Sequence, residues 1–209
     1  MAEVLSARRT QTRERLLDAA TAAFALKGVL GASVEEICEA AGFTRGAFYS
    51  NFDTKDELCL ALLRRQADDY LGATREVMAS LPTGDALGGR SVDAVIADAI
   101  AIFLAAQPAD RVGVLAGAEL RLHAAREESM RAPYLELSRA SSSAFARLIE
   151  QGAASIGLRL TVAGEQAVAI LHGVYEQGAI NALIAGPGQA EPARAELLAG
   201  VLKSLLAPA

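Results

Sequence analysis

Tryptophan is missing from this chain, and histidine and cysteine each occur only twice. His123 and His172 lie far apart, and no Cys-x-x-Cys, His-Glu-x-x-His or Gly-x-Ser-x-Gly pattern is present. No glycine-rich phosphate loop follows a strand. Nothing therefore sets a nucleophile beside a base or gathers metal ligands, so no catalytic residue, metal site or cofactor is expected. Cys38 and Cys59 fall on apolar helix faces and read as buried filler in a reducing compartment. No segment approaches the ~18 uncharged apolar residues of a membrane span. Arg8, Arg9, Arg13 and Arg15 near the start have no apolar block behind them, so no signal peptide is visible. A cytoplasmic protein without a membrane partner is the expectation. Neither a β pattern nor an internal repeat appears.

What is present is helix. The 209 residues are 52% hydrophobic and 22% charged, enough for one large domain or two small ones. Residues 33 to 57 organise the rest. Ser33 with Glu36, and Thr54 with Glu57, have capping-box spacing. Thr44 can accept the first amide protons of a short helix between them. Gly42 can take the left-handed conformation that ends one helix and turns the chain into the next. Helix, tight turn and short helix make a helix-turn-helix layout.

The faces agree with that layout. Val34, Ile37, Cys38 and Ala41 form one apolar stripe at helical spacing. Ala47 and Phe48 point inward, and Phe52 closes the far end. Thr44, Arg45, Gly46, Tyr49, Ser50 and Asn51 are left facing outward, a small polar surface suited to a phosphate backbone and to base edges. Lys55, in the first turn of the following helix, suits a phosphate. Ser33, Thr44, Arg45, Gly46, Tyr49, Asn51 and Lys55 make up the candidate DNA-contacting set.

Several stretches together carry a family resemblance. They are Leu16-Leu17-Asp18-Ala19-Ala20 with Phe24 and Gly28, Ser33-Val34-Glu35-Glu36-Ile37, Ala40-Ala41-Gly42, Thr44 through Phe52, and Lys55-Asp56-Glu57-Leu58. From about Thr12 to Leu62 the chain resembles the DNA-binding domain of TetR-family transcriptional regulators. The resemblance implies a dimer that binds an inverted-repeat operator and is released by a ligand, although activators also exist in the family. It further implies that the last two helices form the dimer interface.

The net charge of −5 runs against nucleic-acid binding, so the placement of charge matters more than its sum. Residues 1–57 hold seven Lys and Arg against nine Asp and Glu. The cations gather at Arg8, Arg9, Arg13 and Arg15 and at the helix starts Arg45 and Lys55. The acids Glu35, Glu36, Asp56 and Glu57 sit in first turns, where the helix dipole favours them. A local positive edge and few phosphate contacts per subunit follow. Residues 1 to about 8 are expected to form a mobile arm, with Arg8 and Arg9 able to touch DNA.

The predicted fold is all-α with about nine helices. An N-terminal three-helix domain over 8–54 binds DNA, and a helical ligand-binding and dimerisation domain covers 55–209. The first helix, roughly Thr10 to Leu26, stops at Gly28. A long helix runs from Thr54 to about Ser80, and a turn-rich connection covers 81–91. Helices follow from Ser91 to Pro108, Asp110 to Arg126 and Met130 to Ser155, then a linker over Gly157–Thr161. Two apolar helices, 162–185 and 190–206, are separated by Gly186-Pro187-Gly188. Their excess apolar surface needs cover, which a second copy would supply as a four-helix bundle. Tyr70, Phe103, Leu120, His123, Tyr134, Phe145 and Tyr175 are candidate effector-lining residues. A helical dimer that binds a small molecule without DNA is the alternative reading.

Overall fold

The helix starts written into residues 33–57 are used. In the computed structural model, which describes residues 2–80, 90–105, 111–186 and 191–209, α2 (Val34–Ala41) begins at a complete capping box. The Glu36 amide donates to Ser33 Oγ at 3.2 Å and the Ser33 amide donates to Glu36 Oε2 at 3.0 Å. Gly42 ends that helix at φ 72°, ψ 34°, and α3 (Arg45–Tyr49) starts at Thr44, whose Oγ1 accepts from the Ala47 amide. The Glu57 amide donates to Thr54 Oγ1 at the head of α4 (Lys55–Ser80), while the Glu57 carboxylate accepts from the Asp53 amide at 2.7 Å.

Around these stand α1 (Ala2–Gly31), α5 (Val92–Ala105), α6 (Arg111–Arg126), α7 (Glu128–Ser155), α8 (Gly164–Ala185) and α9 (Glu191–Ser204). The described residues thus hold nine helices, as the all-α reading requires. Two expectations fail. The backbone is already helical at Ala2, so residues 2–8 form no irregular arm; Glu3, Leu5, Ala7 and Arg8 favour helix and no glycine or proline interrupts them. The linker after α7 is also not structureless. Leu158–Leu160 (β1) pairs antiparallel with Leu206–Pro208 (β2), a contact too short and too distant in sequence to leave a periodic signal. Most of the connection expected over 81–91, together with Pro108 and Pro187-Gly188, lies outside the described residues.

The chain forms two compact units. One comprises residues 1–66 and 110–136, the other residues 67–109 and 137–209. The first unit extends beyond the stretch 8–54, because α6 lies along α1 and joins the helix-turn-helix core. Leu16, Phe24, Ile37, Phe48, Phe52, Leu58, Leu62 and Leu120 are all buried there. Arg65 ties α4 to α1 through Glu14 at 3.0 Å and Asp18 at 2.8 Å. In the second unit α9 packs on α5 and α8 around Ile100, Leu104, Tyr175 and Leu198. No helix among the described residues is long and apolar enough to cross a membrane.

Gly28 does interrupt the first helix, but the chain resumes a last turn beyond it. Its φ of 73° and ψ of 165° belong to a region reserved for glycine. Gly28→Ala should therefore lower unfolding free energy by about 1–3 kcal/mol, measured by urea denaturation. Glu36 gives a pH signature. The Lys27 ammonium, then the amide and hydroxyl of Ser33, hold its pKa down at about 2 against a usual 4.5. A carboxylate depressed in the folded state stabilises fully above its unfolded pKa and loses that contribution as pH falls towards 2. Glu36→Gln should flatten the loss of stability between pH 5 and 2 in denaturation series.

Candidate nucleic-acid interface

A five-residue helix makes too few backbone hydrogen bonds to hold its own direction. α3 is held from both ends. Thr44 caps its start, and Phe48 is fully buried beneath it, ring against ring with Phe52 at 5.7 Å. The carbonyls of its C-cap Ser50 and of Asn51 just beyond meet cations from α1. Arg13 donates to the Asn51 carbonyl at 2.8 Å and lies 4.1 Å over the Phe52 ring, and Arg9 donates to the Ser50 carbonyl at 3.3 Å. Arg15 does the same for α2, donating to the Ala41 carbonyl at 2.7 Å and standing 4.7 Å over the Phe43 ring. Cations at helix C-termini satisfy orphan carbonyls and complement the dipole.

The outward face matches the sequence reading at Thr44, Arg45, Gly46, Tyr49 and Ser50, which are exposed. Arg45 lies 5.8 Å over the Tyr49 ring and pairs with Glu35 at 2.6 Å. Tyr49 first and Glu35 next raise the guanidinium's pKa further. Arg45 is thus oriented in advance, by a surface ion pair that a phosphate or guanine edge can displace. Ser33 is exposed, and its hydroxyl is engaged with Glu36.

Two residues of the set are placed otherwise. Asn51 is buried and does not face outward. Its amide donates to the Ala47 carbonyl at 2.8 Å, closing α3 from inside. The helical phase that put it outside ends at Tyr49, where the chain turns. Lys55 is no solvated cation either. Its ammonium donates to the carbonyls of Val29 at 2.8 Å and Ala32 at 3.1 Å, capping the end of α1, so a phosphate could claim at most its remaining proton.

The candidate effector residues divide between the units. Tyr70, Phe103 and Tyr175 come together in the second, with ring centroids 6.4 Å and 6.1 Å from Tyr175, and Phe145 is half-buried in the same unit. Leu120, His123 and Tyr134 belong to the first. Leu120 is core. His123 is buried with Nε2 2.8 Å from Asp56 Oδ1, and Ser129 donates to Asp56 Oδ2 at 2.7 Å. Burial raises the Asp56 pKa, but the hydrogen bonds of His123 and Ser129 outweigh it and the net shift is downward. Sequence reasoning missed both this network and the arginine clamps. The four-residue spacing of Arg9 and Arg13, which puts them on one helix face, was their only signal. Cys59, with burial pushing its thiol up to about 12, is unreactive filler as expected.

A family model described as "Bacterial regulatory proteins, tetR family" matches residues 16–62. The transcriptional repressor KstR2 of Rhodococcus jostii (strain RHA1) is 40% identical over 68 residues, which are 32% of this chain and 33% of that protein. SrpR, a transcriptional regulator of Pseudomonas putida, is 41% identical over 63 residues, 30% of each chain. The match thus spans about a third of the curated relatives' length. Over nearly the whole length the fold is that of FadR from Bacillus subtilis, solved in complex with stearoyl-CoA: TM-score 0.68, 16% identity, 92% of this chain and 96% of that one.

The clamps make a stability prediction. Arg13→Ala and Arg15→Ala should each cost about 1 kcal/mol in urea denaturation. Arg45→Ala, on the exposed face, should leave the midpoint nearly unmoved.

Proposed function

From the match of residues 16–62 to the family model of bacterial regulatory proteins of the tetR family, we propose that the whole chain is a DNA-binding transcriptional regulator, acting as a cytoplasmic repressor. The observation that carries the reading is the outer face of α3, where Thr44, Arg45, Gly46, Tyr49 and Ser50 stand exposed on a helix held at both ends. Two such helices, presented by a homodimer, would enter successive major grooves of an inverted repeat about 34 Å apart. The dimer would form through α8 and α9. Ile170 (41% exposed), Ile184 (79%) and Leu197 (56%) on those helices support this, since such side chains gain most from a partner surface.

The effector is proposed to be a small apolar or amphipathic molecule recognised in the second unit, around Tyr70, Phe103 and Tyr175. The stearoyl-CoA held by FadR is of that chemical kind. Release of DNA requires the ligand to prefer a DNA-incompetent arrangement. A coupling of about 1–3 kcal/mol would change operator affinity about 5–150-fold. α4 and α7 each supply residues to both units and are covalent routes for that coupling.

Selection of bound sequences from random duplex DNA is the decisive experiment. A symmetric consensus with half-sites one helical turn apart is the expected result. No enrichment would leave a helical dimer that binds a small molecule without DNA. On the selected operator, Arg45→Ala and Tyr49→Ala should each weaken binding about tenfold or more without altering thermal stability. Asp substituted at Ile184 and Leu197 together should yield monomers in sedimentation and lose operator affinity. Lys55→Ala should lower stability, because the α1 carbonyls lose their donors. It should reduce the salt slope of binding by at most about one unit.

A further inference from the structure

Two acids open α2, and they are used differently. Glu36 is committed within the protein, to the Ser33 cap and to the Lys27 ammonium. Glu35, one residue earlier, pairs with Arg45 of α3, Oε1 to Nη1 at 2.6 Å. The pair spans the turn at Gly42, so an acid of the first helix is held against the leading cation of the second. Both side chains stay largely open to water, 60% for Arg45 and 55% for Glu35. A pair so exposed contributes little to stability. Its charge matters instead to any polyanion brought to Arg45, because a carboxylate at that place repels phosphates.

The chemistry of the guanidinium decides what Arg45 can read. It carries more N–H donors than one carboxylate oxygen can occupy. Glu35 holds Nη1, and the Tyr49 ring centroid lies 5.8 Å from the guanidinium carbon, so the two together set the direction of the planar group. A guanine edge offers two acceptors, N7 and O6, and no net charge, so it can share the guanidinium with Glu35. A phosphate is itself an anion and must approach against the carboxylate or expel it. Gly46, next to Arg45, leaves room for a base edge. A Cβ there would meet Thr44 Oγ1 at 3.7 Å, an ordinary contact, so the fold itself does not require glycine at this position.

We propose that Glu35 sets the specificity of this face: it makes Arg45 a reader of guanine in the major groove and turns it away from phosphate. The inference rests on the DNA-binding function proposed above, and it names the base that each half-site presents to Arg45. Glu35 is a positioning residue in this role, because its effect passes through Arg45.

The test compares the selected operator with a random duplex of the same length. Glu35→Gln keeps the shape of the side chain and an oxygen that accepts from Arg45, but removes the charge. It should tighten binding to the random duplex, and the ratio of operator to random affinity should fall about tenfold. Its urea midpoint should scarcely move, because the lost ion pair is exposed. Each operator guanine is then replaced in turn by 7-deazaguanine, which lacks the N7 acceptor. At the guanine read by Arg45 this should weaken the unaltered protein about tenfold and leave Arg45→Ala no weaker than it already is. An unchanged ratio in Glu35→Gln, whether or not both affinities rise, would overturn the assignment. So would the lack of any guanine whose replacement Arg45→Ala silences. Either result leaves the proposed regulator standing, since an operator is still bound. If the unaltered protein selects no duplex, the proposed function fails and this inference falls with it.

Discussion

Backbone carbonyls at helix ends, and the cations that satisfy them, hold the reading head together. A short helix leaves its last carbonyls without partners, and leaving them buried and unmet would cost more than most side-chain contacts return. Here α1 ends on the ammonium of Lys55, α2 on Arg15, and α3 on Arg9 and Arg13. Each cation reaches from a different helix than the one it closes. The same groups that end the helices therefore also fix the angles between them.

This arrangement bears on the proposed function, which pairs an acidic protein with a polyanionic partner. Arg9, Arg13, Arg15 and Lys55 look on paper like a positive edge, yet all four meet main-chain oxygens. Arg45, exposed and already turned over Tyr49, is the cation that the proposed function would bring to DNA directly. If the proposed function holds, affinity would rest on few phosphate contacts, on base edges and on duplication in a dimer, with modest long-range attraction.

Much of the first unit could be read from the chain because its signals are local. Ser33 with Glu36, Gly42 and Thr44 each act within four residues, and local chemistry alone decides them. Asn51 was misplaced because helical phase was carried one turn too far. The role of Lys55 was missed because its partners, Val29 and Ala32, are more than twenty residues away. The same holds for α6 joining the first unit, for His123 meeting Asp56 and for the paired strands. Such contacts are settled by packing, and residue type alone does not announce them. The split of the proposed effector residues shows the limit well: Leu120 and Tyr175 are equally good lining residues by type, but they serve different cores.

The small ladder between β1 and β2 has a consequence for how the molecule assembles. It joins positions about fifty residues apart, and everything between them, α8 and α9 included, becomes a loop tied at its neck. Closing such a loop costs chain entropy before its few contacts repay it, which favours forming the ladder late. Packing α8 against α9 first shortens the loop that the neck must close. Any pairing of two copies through those helices would then follow, rather than guide, the folding of each.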